Sequence, residues 1–175
     1  GLAADHRPCG PAPDDQAAEG HLADIHDLGE LRAAVTALKA GGERVAMVPT
    51  MGALHDGHLT LVREAKRHAA HVLVSIFVNP LQFGPKEDFK RYPRPLREDR
   101  EKAESAGADL LWTPAAEEMY SAPYRTFIEV EALGRRWEGA SRPGHFRGVA
   151  TVVAKLLQVV RPDRLYLGQK DYQQS

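Results

Sequence analysis

The chain has 175 residues, 43% of them hydrophobic and 27% charged, which suits one domain with a buried core. Its net charge of −1 gives no broad pull on nucleic acid or on an anionic membrane, so any polyanion must be held locally. The single cysteine, Cys9, excludes an intrachain disulfide; no apolar run reaches the length of a membrane span and no basic-then-apolar leader opens the sequence, so a soluble cytoplasmic protein is expected.

Residues 1–22, rich in Gly, Ala, Pro and Asp, are expected to form a flexible extension, with residues 23–175 as the folded domain. Asp27 then precedes Leu28, Leu31, Val35 and Leu38 at helical spacing. Asp27 with Glu30 resembles a capping box, and Gly41-Gly42 is a stop signal. The apolar run 44–48 reads as the first buried strand. After Pro49 and a glycine-containing loop, a helical pattern opens at Gly57-His58 and runs to residue 69. Residues 71–78 (HVLVSIFV) form a nearly continuous β-branched run, as in a strand covered on both faces. Strand, helix and strand at this spacing make a βαβ unit with a right-handed crossover. Residues 85–101 are dense in charge and broken by Pro93 and Pro95. A helix over 96–106, a strand over 109–112 and a short helix over 115–120 follow. Residues 126–130 alternate like an edge strand or hairpin arm, and 135–148 reads as a loop. An apolar helix over 149–160 ends before Pro162, and 164–167 is a last strand. The alternation predicts an α/β fold: an open, mostly parallel sheet with helices on both faces. Such sheets bind ligands outside the carboxyl ends of their strands. Three polar clusters, 49–58, 79–84 and 168–174, fall at three such ends.

The chemistry concentrates in those clusters. His55 and His58 stand at a strand–loop–helix junction, where unpaired N–H groups and the helix dipole favour an anion. Read as neutral rings, both can donate to phosphoryl oxygens, and Gly57 lets the backbone approach a nucleotide. A metal pair and two surface histidines beside a cap are the alternatives. In Gly168-Gln169-Lys170-Asp171, Lys170 is a point charge suited to phosphate and Asp171 could orient it or bind a ribose hydroxyl; a solvated strand-end turn is the alternative. Gln82 and Gln174 offer donor and acceptor together, which suits a hydroxy acid or an amine. Asn79 before Pro80 is a site support or a turn opener. The loop 142–148 either supplies cations to a triphosphate, covers the pocket, or is solvated surface. Glu98 or Asp99 is a candidate to hold water around a magnesium ion.

The segments PTMGALHDGHL (49–59), SIFVNPLQFGPKEDFKRYPR (75–94), EGASRPGHFRGVATVVAKLL (138–157) and LGQKDYQQ (167–174) together resemble the pantothenate synthetase (pantoate–β-alanine ligase) family, within the HIGH-motif nucleotidyltransferase superfamily. The resemblance covers about 45–174. It implies a Rossmann-like N-terminal domain, a smaller C-terminal lid domain, a homodimer, and a two-step reaction of coenzyme A biosynthesis. Pantoate attacks the α-phosphorus of ATP, with Mg2+, giving pantoyl adenylate and pyrophosphate. The β-alanine amine then displaces AMP, giving pantothenate. No nucleic-acid or membrane partner is implied. Met51, Gly52, Ala53, Leu54, His55, Asp56, Gly57 and His58 would line the ATP site, with His58 as proton donor and His55 as its phosphate-binding partner. Gly168, Gln169, Lys170 and Asp171 would be a second ATP segment, with Lys170 on the phosphates. The catalytic set would be His58, His55 and Lys170. Gln82 would contact pantoate and β-alanine, Gln174 pantoate, and Asn79 would support that side. Because the sequence stops at Ser175, the family's later Ser-Ser-Arg loop, a last part of the sheet and the lid fall outside it. The expectation is an N-terminal part that binds pantoate or ATP weakly and catalyses poorly or not at all. Leu167 and Gln169 stand where the family often has Phe and Glu. Two other functions compete: a transferase that adenylates a phosphate-containing substrate, and a non-catalytic nucleotide-binding or dimerisation module pairing through 126–130.

Overall fold

The computed structural model describes residues 22–84 and 89–174, apart from the side chains of Leu133 and residues 172–174. Leu22, placed above in the extension, is instead buried in the core, and its N–H donates to Glu104 Oε1 (3.3 Å). The next residue opens β1 (Ala23–Ile25), a strand too short to show a period. Residues 1–21 lie outside the described ones. The remaining elements are α1 (Leu28–Ala40), β2 (Val45–Thr50), α2 (Asp56–His68), β3 (His71–Ile76), α3 (Leu96–Ser105), β4 (Leu110–Trp112), α4 (Ala116–Met119), α5 (Glu138–Ser141), α6 (His145–Val160) and β5 (Arg164–Leu165). A 3-10 turn, Pro80–Gln82, follows β3.

The five strands form one parallel sheet in the order β1-β4-β3-β2-β5. Alternation along the central strands divides the core. Ala46 and Val48 of β2 and Val72 and Val74 of β3 pack with Leu59, Val62 and Ala103 of α2 and α3. Met47 and Leu73 pack on the other face with Leu31, Val35, Val152 and Leu156 of α1 and α6. Crossovers toward the β1 edge therefore carry helices on one face, and crossovers toward β5 carry them on the other. That is the arrangement required when every crossover has the same hand.

The chain reverses its direction across the sheet between β2 and β5, and Pro49 shapes that point. On the side facing β5, the carbonyls of Val45 and Met47 accept the N–H groups of Asp163 (2.8 Å) and Tyr166 (2.9 Å). Alternate residues of a strand face the same neighbour, so Pro49 is next in that row, and it has no N–H. Pairing with β5 reaches only Ala46 and Met47. On the other side Thr50 stays paired, accepting the Phe77 N–H at 3.0 Å. A crevice opens at the carboxyl end of the sheet, at its switch point.

Two expected elements differ. Residues 126–130 form no strand; the Ile128 N–H is taken by Thr151 Oγ1 on α6 (3.0 Å) instead of by a strand partner. Helix α6 begins at His145, a turn before the expected residue 149, because Gly144 supplies a left-handed cap (φ +84°). Gly148 is thus helical, and its missing side chain serves close packing: a Cβ there would overlap the Leu81 carbonyl.

The loop after β2 is held from α3. The Asp99 carboxylate, 1% exposed, accepts the N–H groups of Ala53 (2.8 Å) and Leu54 (2.7 Å). Lys102 Nζ donates to the Leu54 carbonyl (2.9 Å). Gly52 turns at φ +86°, where a Cβ would stand 3.0 Å from Ile76 Cγ2 and 3.1 Å from Asp99 Oδ2. This corrects the expectation of a magnesium-holding Asp99: the group is sealed from solvent and spent on backbone donors. Asp99→Asn would set an NH2 against one of those donors. We expect a loss of roughly 2–3 kcal/mol in urea unfolding, since hydrogen bonds to charged groups carry about that much.

Candidate active site

The crevice is a cleft of about 560 Å³. The loop after β2 and the start of α2 form one side. Leu167–Asp171 after β5 form another, and Asn79 and Gln82 after β3 a third; Val149 and Val153 of α6 supply an apolar wall. The three polar clusters expected at strand ends therefore meet.

The two histidines cap their own helix. Asp56 follows an extended His55 (φ −129°, ψ 175°), the ordinary entry geometry for an N-cap. His55 Nδ1 accepts the Gly57 N–H (3.1 Å), and His58 Nδ1 accepts the His55 N–H (3.4 Å). The arrangement is a capping box built from imidazoles in place of Ser and Glu. It settles the tautomers: each Nδ1 is an acceptor, so each neutral ring carries its proton on Nε2. The rings lie 4.1 Å apart, both on the cleft wall. Burial, then the neighbouring His55 and Lys170, lowers the His58 pKa below its ordinary value. Gly57 has a role the sequence did not suggest. A Cβ there would stand 2.9 Å from His55 Cε1, so the missing side chain makes room for the folded-back ring.

Lys170 lies across the cleft, with its Nζ on both oxygens of Asp171 (2.8 and 2.9 Å). The pair sits in a 3-10 turn opened by Gly168, whose carbonyl accepts the Asp171 N–H (2.8 Å). Lys170 is largely exposed, a charge presented to the opening.

Asn79 is buried, and its amide is saturated. Oδ1 accepts from Leu81 N (3.3 Å) and the Tyr120 hydroxyl (2.7 Å); Nδ2 donates to Gln82 Oε1 (3.0 Å) and the Gly148 carbonyl (3.1 Å). Four bonds exhaust a carboxamide. With no bond left over for a ligand, Asn79 supports Gln82 and the α6 contact. Gln82 Nε2 rests on Met51 Sδ (2.9 Å), leaving one N–H and one lone pair for the cleft. Its backbone carbonyl accepts from Nδ1 of the buried His145 (2.9 Å), whose Nε2 faces Arg142 Nη1 (3.2 Å). His145 thus braces Gln82 from behind, while Pro143, Gly144 and Arg147 of the same stretch are exposed surface.

Of the residues expected on the nucleotide, Met51, Gly52, Ala53, His55, Gly57 and His58 line the cleft, as do Gly168, Gln169, Lys170 and Asp171. Leu54 and Asp56 depart from the expectation. Leu54 is buried among the α2 and α3 side chains, where an apolar group belongs, and Asp56 is exposed at the first turn of α2. The Gln174 side chain lies outside the described ones. Sequence reasoning missed Tyr92, which lines the cleft with its hydroxyl pKa raised by burial. A charged stretch broken by two prolines gives no periodicity that would single it out. It also missed Tyr120, whose link to Asn79 spans 41 positions. Among the described residues, no group of three or more His, Cys, Asp or Glu could hold a metal ion, and no helix is long and apolar enough to cross a membrane.

Comparison with known proteins gives this geometry a family. The sequence model described as pantoate-beta-alanine ligase matches residues 23–175. The pantothenate synthetase of Desulfitobacterium hafniense (strain DSM 10664 / DCB-2) is 59% identical over 147 residues, 84% of this chain and 52% of that protein. The pantothenate synthetase of Mycolicibacterium smegmatis is 58% identical over 144 residues, 81% of this chain and 46% of that protein. The crystal structure of pantothenate synthetase from Thermus thermophilus superposes with a TM-score of 0.82 at 53% identity, covering 87% of this chain and 54% of that one. That of the Francisella tularensis ligase, complexed with β-γ ATP and β-alanine, gives 0.84 at 40% identity, covering 88% and 59%. The chain spans about half the length of the curated relatives it matches. With the family pattern running from β1 to the last described turn, the chain belongs to the pantoate–β-alanine ligase family.

Proposed function

We propose that this chain carries the ATP- and pantoate-binding site of an enzyme that condenses pantoate with β-alanine through a pantoyl adenylate. One observation carries the reading: paired imidazole Nε2 donors, a lysine and a half-satisfied glutamine line one cleft at the sheet's switch point. The Francisella tularensis relative, solved with a nucleotide and β-alanine, supports the same assignment.

In the first step a pantoate carboxylate oxygen bonds to the α-phosphorus of ATP, and the bond to the bridging oxygen breaks, releasing pyrophosphate. Two anions must meet, so the site has to offset their repulsion. The Nε2–H groups of His55 and His58 donate to phosphate oxygens, and the hydrogen bonds strengthen as charge grows on them. Lys170, steered by Asp171, adds a full positive charge. Gln82, with its remaining donor and acceptor, orients the hydroxy acid, while Val149 and Val153 keep water from the apolar side. In the second step the β-alanine nitrogen bonds to the acyl carbon, the acyl–phosphate C–O bond breaks, and AMP leaves. Magnesium would be held by the triphosphate oxygens and would offset their charge; among the described residues no group of three or more His, Cys, Asp or Glu would cage it. The reading sets the protein in the cytoplasm as a homodimer; the exposed Phe127, Ile128 and Val130 support the latter.

Isothermal titration of the chain should give heat with pantoate and with ATP plus magnesium; silence toward both ligands would refute the reading. Lys170→Ala should weaken ATP about tenfold or more, as loss of a charge-assisted contact does, while leaving pantoate binding in place. Gln82→Ala should do the reverse. His58 also links stability to pH. Its folded pKa is lowered, so between that value and the ordinary histidine value only the unfolded chain binds the proton. The stability contributed by His58 should therefore fall as pH drops through that window and level off below it. His58→Asn keeps an acceptor for the His55 N–H but cannot titrate. Urea midpoints measured across pH should show this decline in the parent and lose it in the variant.

A further inference from the structure

Tyr120 stands just beyond α4, behind Asn79 and outside the cleft wall. We propose that its hydroxyl is a positioning group for the pantoate side of the site, acting through Asn79 on the Gln82 carboxamide. The inference rests on the function proposed above and adds to it a residue that touches no substrate.

The geometry is a relay of fixed polarity. A carboxamide can be turned over at little cost unless its neighbours distinguish oxygen from nitrogen. Around Asn79 they do. The Leu81 N–H can only donate, so it demands Oδ1; the Gly148 carbonyl can only accept, so it demands Nδ2. The Leu81 contact is long (3.3 Å), whereas the Tyr120 hydroxyl donates at 2.7 Å. Tyr120 is thus the stronger of the two bonds holding Oδ1. With Asn79 so held, Nδ2 faces Gln82 and fixes Oε1 as the acceptor (3.0 Å), and Nε2 is turned to Met51 Sδ. The order of donor and acceptor that Gln82 shows to a ligand is therefore set two side chains away.

Tyr120 is itself held firmly. Its ring packs against Phe77 (6.1 Å) and edge-on against Tyr124 (4.9 Å), which packs in turn against Phe127 (5.4 Å). The Lys155 ammonium lies over both tyrosine faces, 5.4 Å from the Tyr120 centroid and 4.4 Å from that of Tyr124. Burial raises the Tyr120 pKa, so the phenol keeps its proton and stays a donor throughout the physiological range.

Tyr120→Phe removes the hydroxyl alone and keeps the ring stack. Two readouts test the proposal on the chain as it stands. In the free protein, the side-chain NH2 resonances of Asn79 and Gln82 in an amide 1H–15N spectrum should shift or broaden in the variant, with the α2 backbone amides unmoved. By titration, the pantoate dissociation constant should rise about tenfold, the scale of one neutral hydrogen bond, with ATP affinity unchanged. Placed on Gln82→Ala, the same substitution should add nothing, because a relay has no effect once its end is gone. A purely structural Tyr120 would weaken binding equally in both backgrounds, and that additivity would overturn the proposal. Unchanged NH2 resonances together with unchanged pantoate affinity would overturn it while leaving the ligase reading intact. Absence of pantoate binding by the parent chain would overturn both.

Discussion

A carboxylate buried under a loop governs this site. Asp99 reaches from α3 to two consecutive backbone N–H groups, and the loop it captures delivers His55 to the head of α2. Ala53 sits there at φ +52° and Gly52 at +86°, so the loop path is one the chain would not take unaided. Two charge-assisted bonds in a dry setting offset that local cost. The fold supplies the anchor cheaply, since α3 already lies against α2 on the same face of the sheet.

From that loop onward, the same side chains hold the fold and line the cleft. Each histidine ring spends one nitrogen on the helix cap and keeps the other for the cleft. Protonation at Nδ1 would place a hydrogen against a backbone N–H. The contacts that start the helix thus keep each Nδ1 an acceptor and leave Nε2 for the cleft. Gln82 shows the same economy, gripped by Asn79 at its side chain and by His145 at its backbone. Rigid placement of this kind would serve the proposed meeting of two anions.

How far the sequence could be read follows from where each signal lives. Strands β2 and β3 were legible because both are covered on two faces and so carry consecutive apolar residues, 45–49 and 72–74. Helix α1 announced itself with Asp27, which accepts the Glu30 N–H as expected (2.9 Å). Strand β1, with three residues, is too short for any period, while β5 covers only the first two residues of the expected strand 164–167. The alternation over 126–130 marks no strand: all five residues are exposed, the Phe127 ring meets Tyr124 and Arg147, and the Ile128 backbone bonds to Thr151 of α6. In the site, His55, His58, Gln82 and Lys170 could be named because local chemistry marks them. Asp99, Tyr92 and Tyr120 owe their roles to partners brought near only by folding, some 40 or more positions away for Asp99 and Tyr120.

Pro49 bears on what the sheet is protected from. Beyond Met47, β2 runs on with its β5-facing side uncovered, and a bare strand side ordinarily invites a foreign segment to zip alongside. With an imide nitrogen at that place, an intruding peptide finds no hydrogen to seize. A strand docking along that side would lose one rung of its ladder, so the cleft mouth is a poor template for pairing.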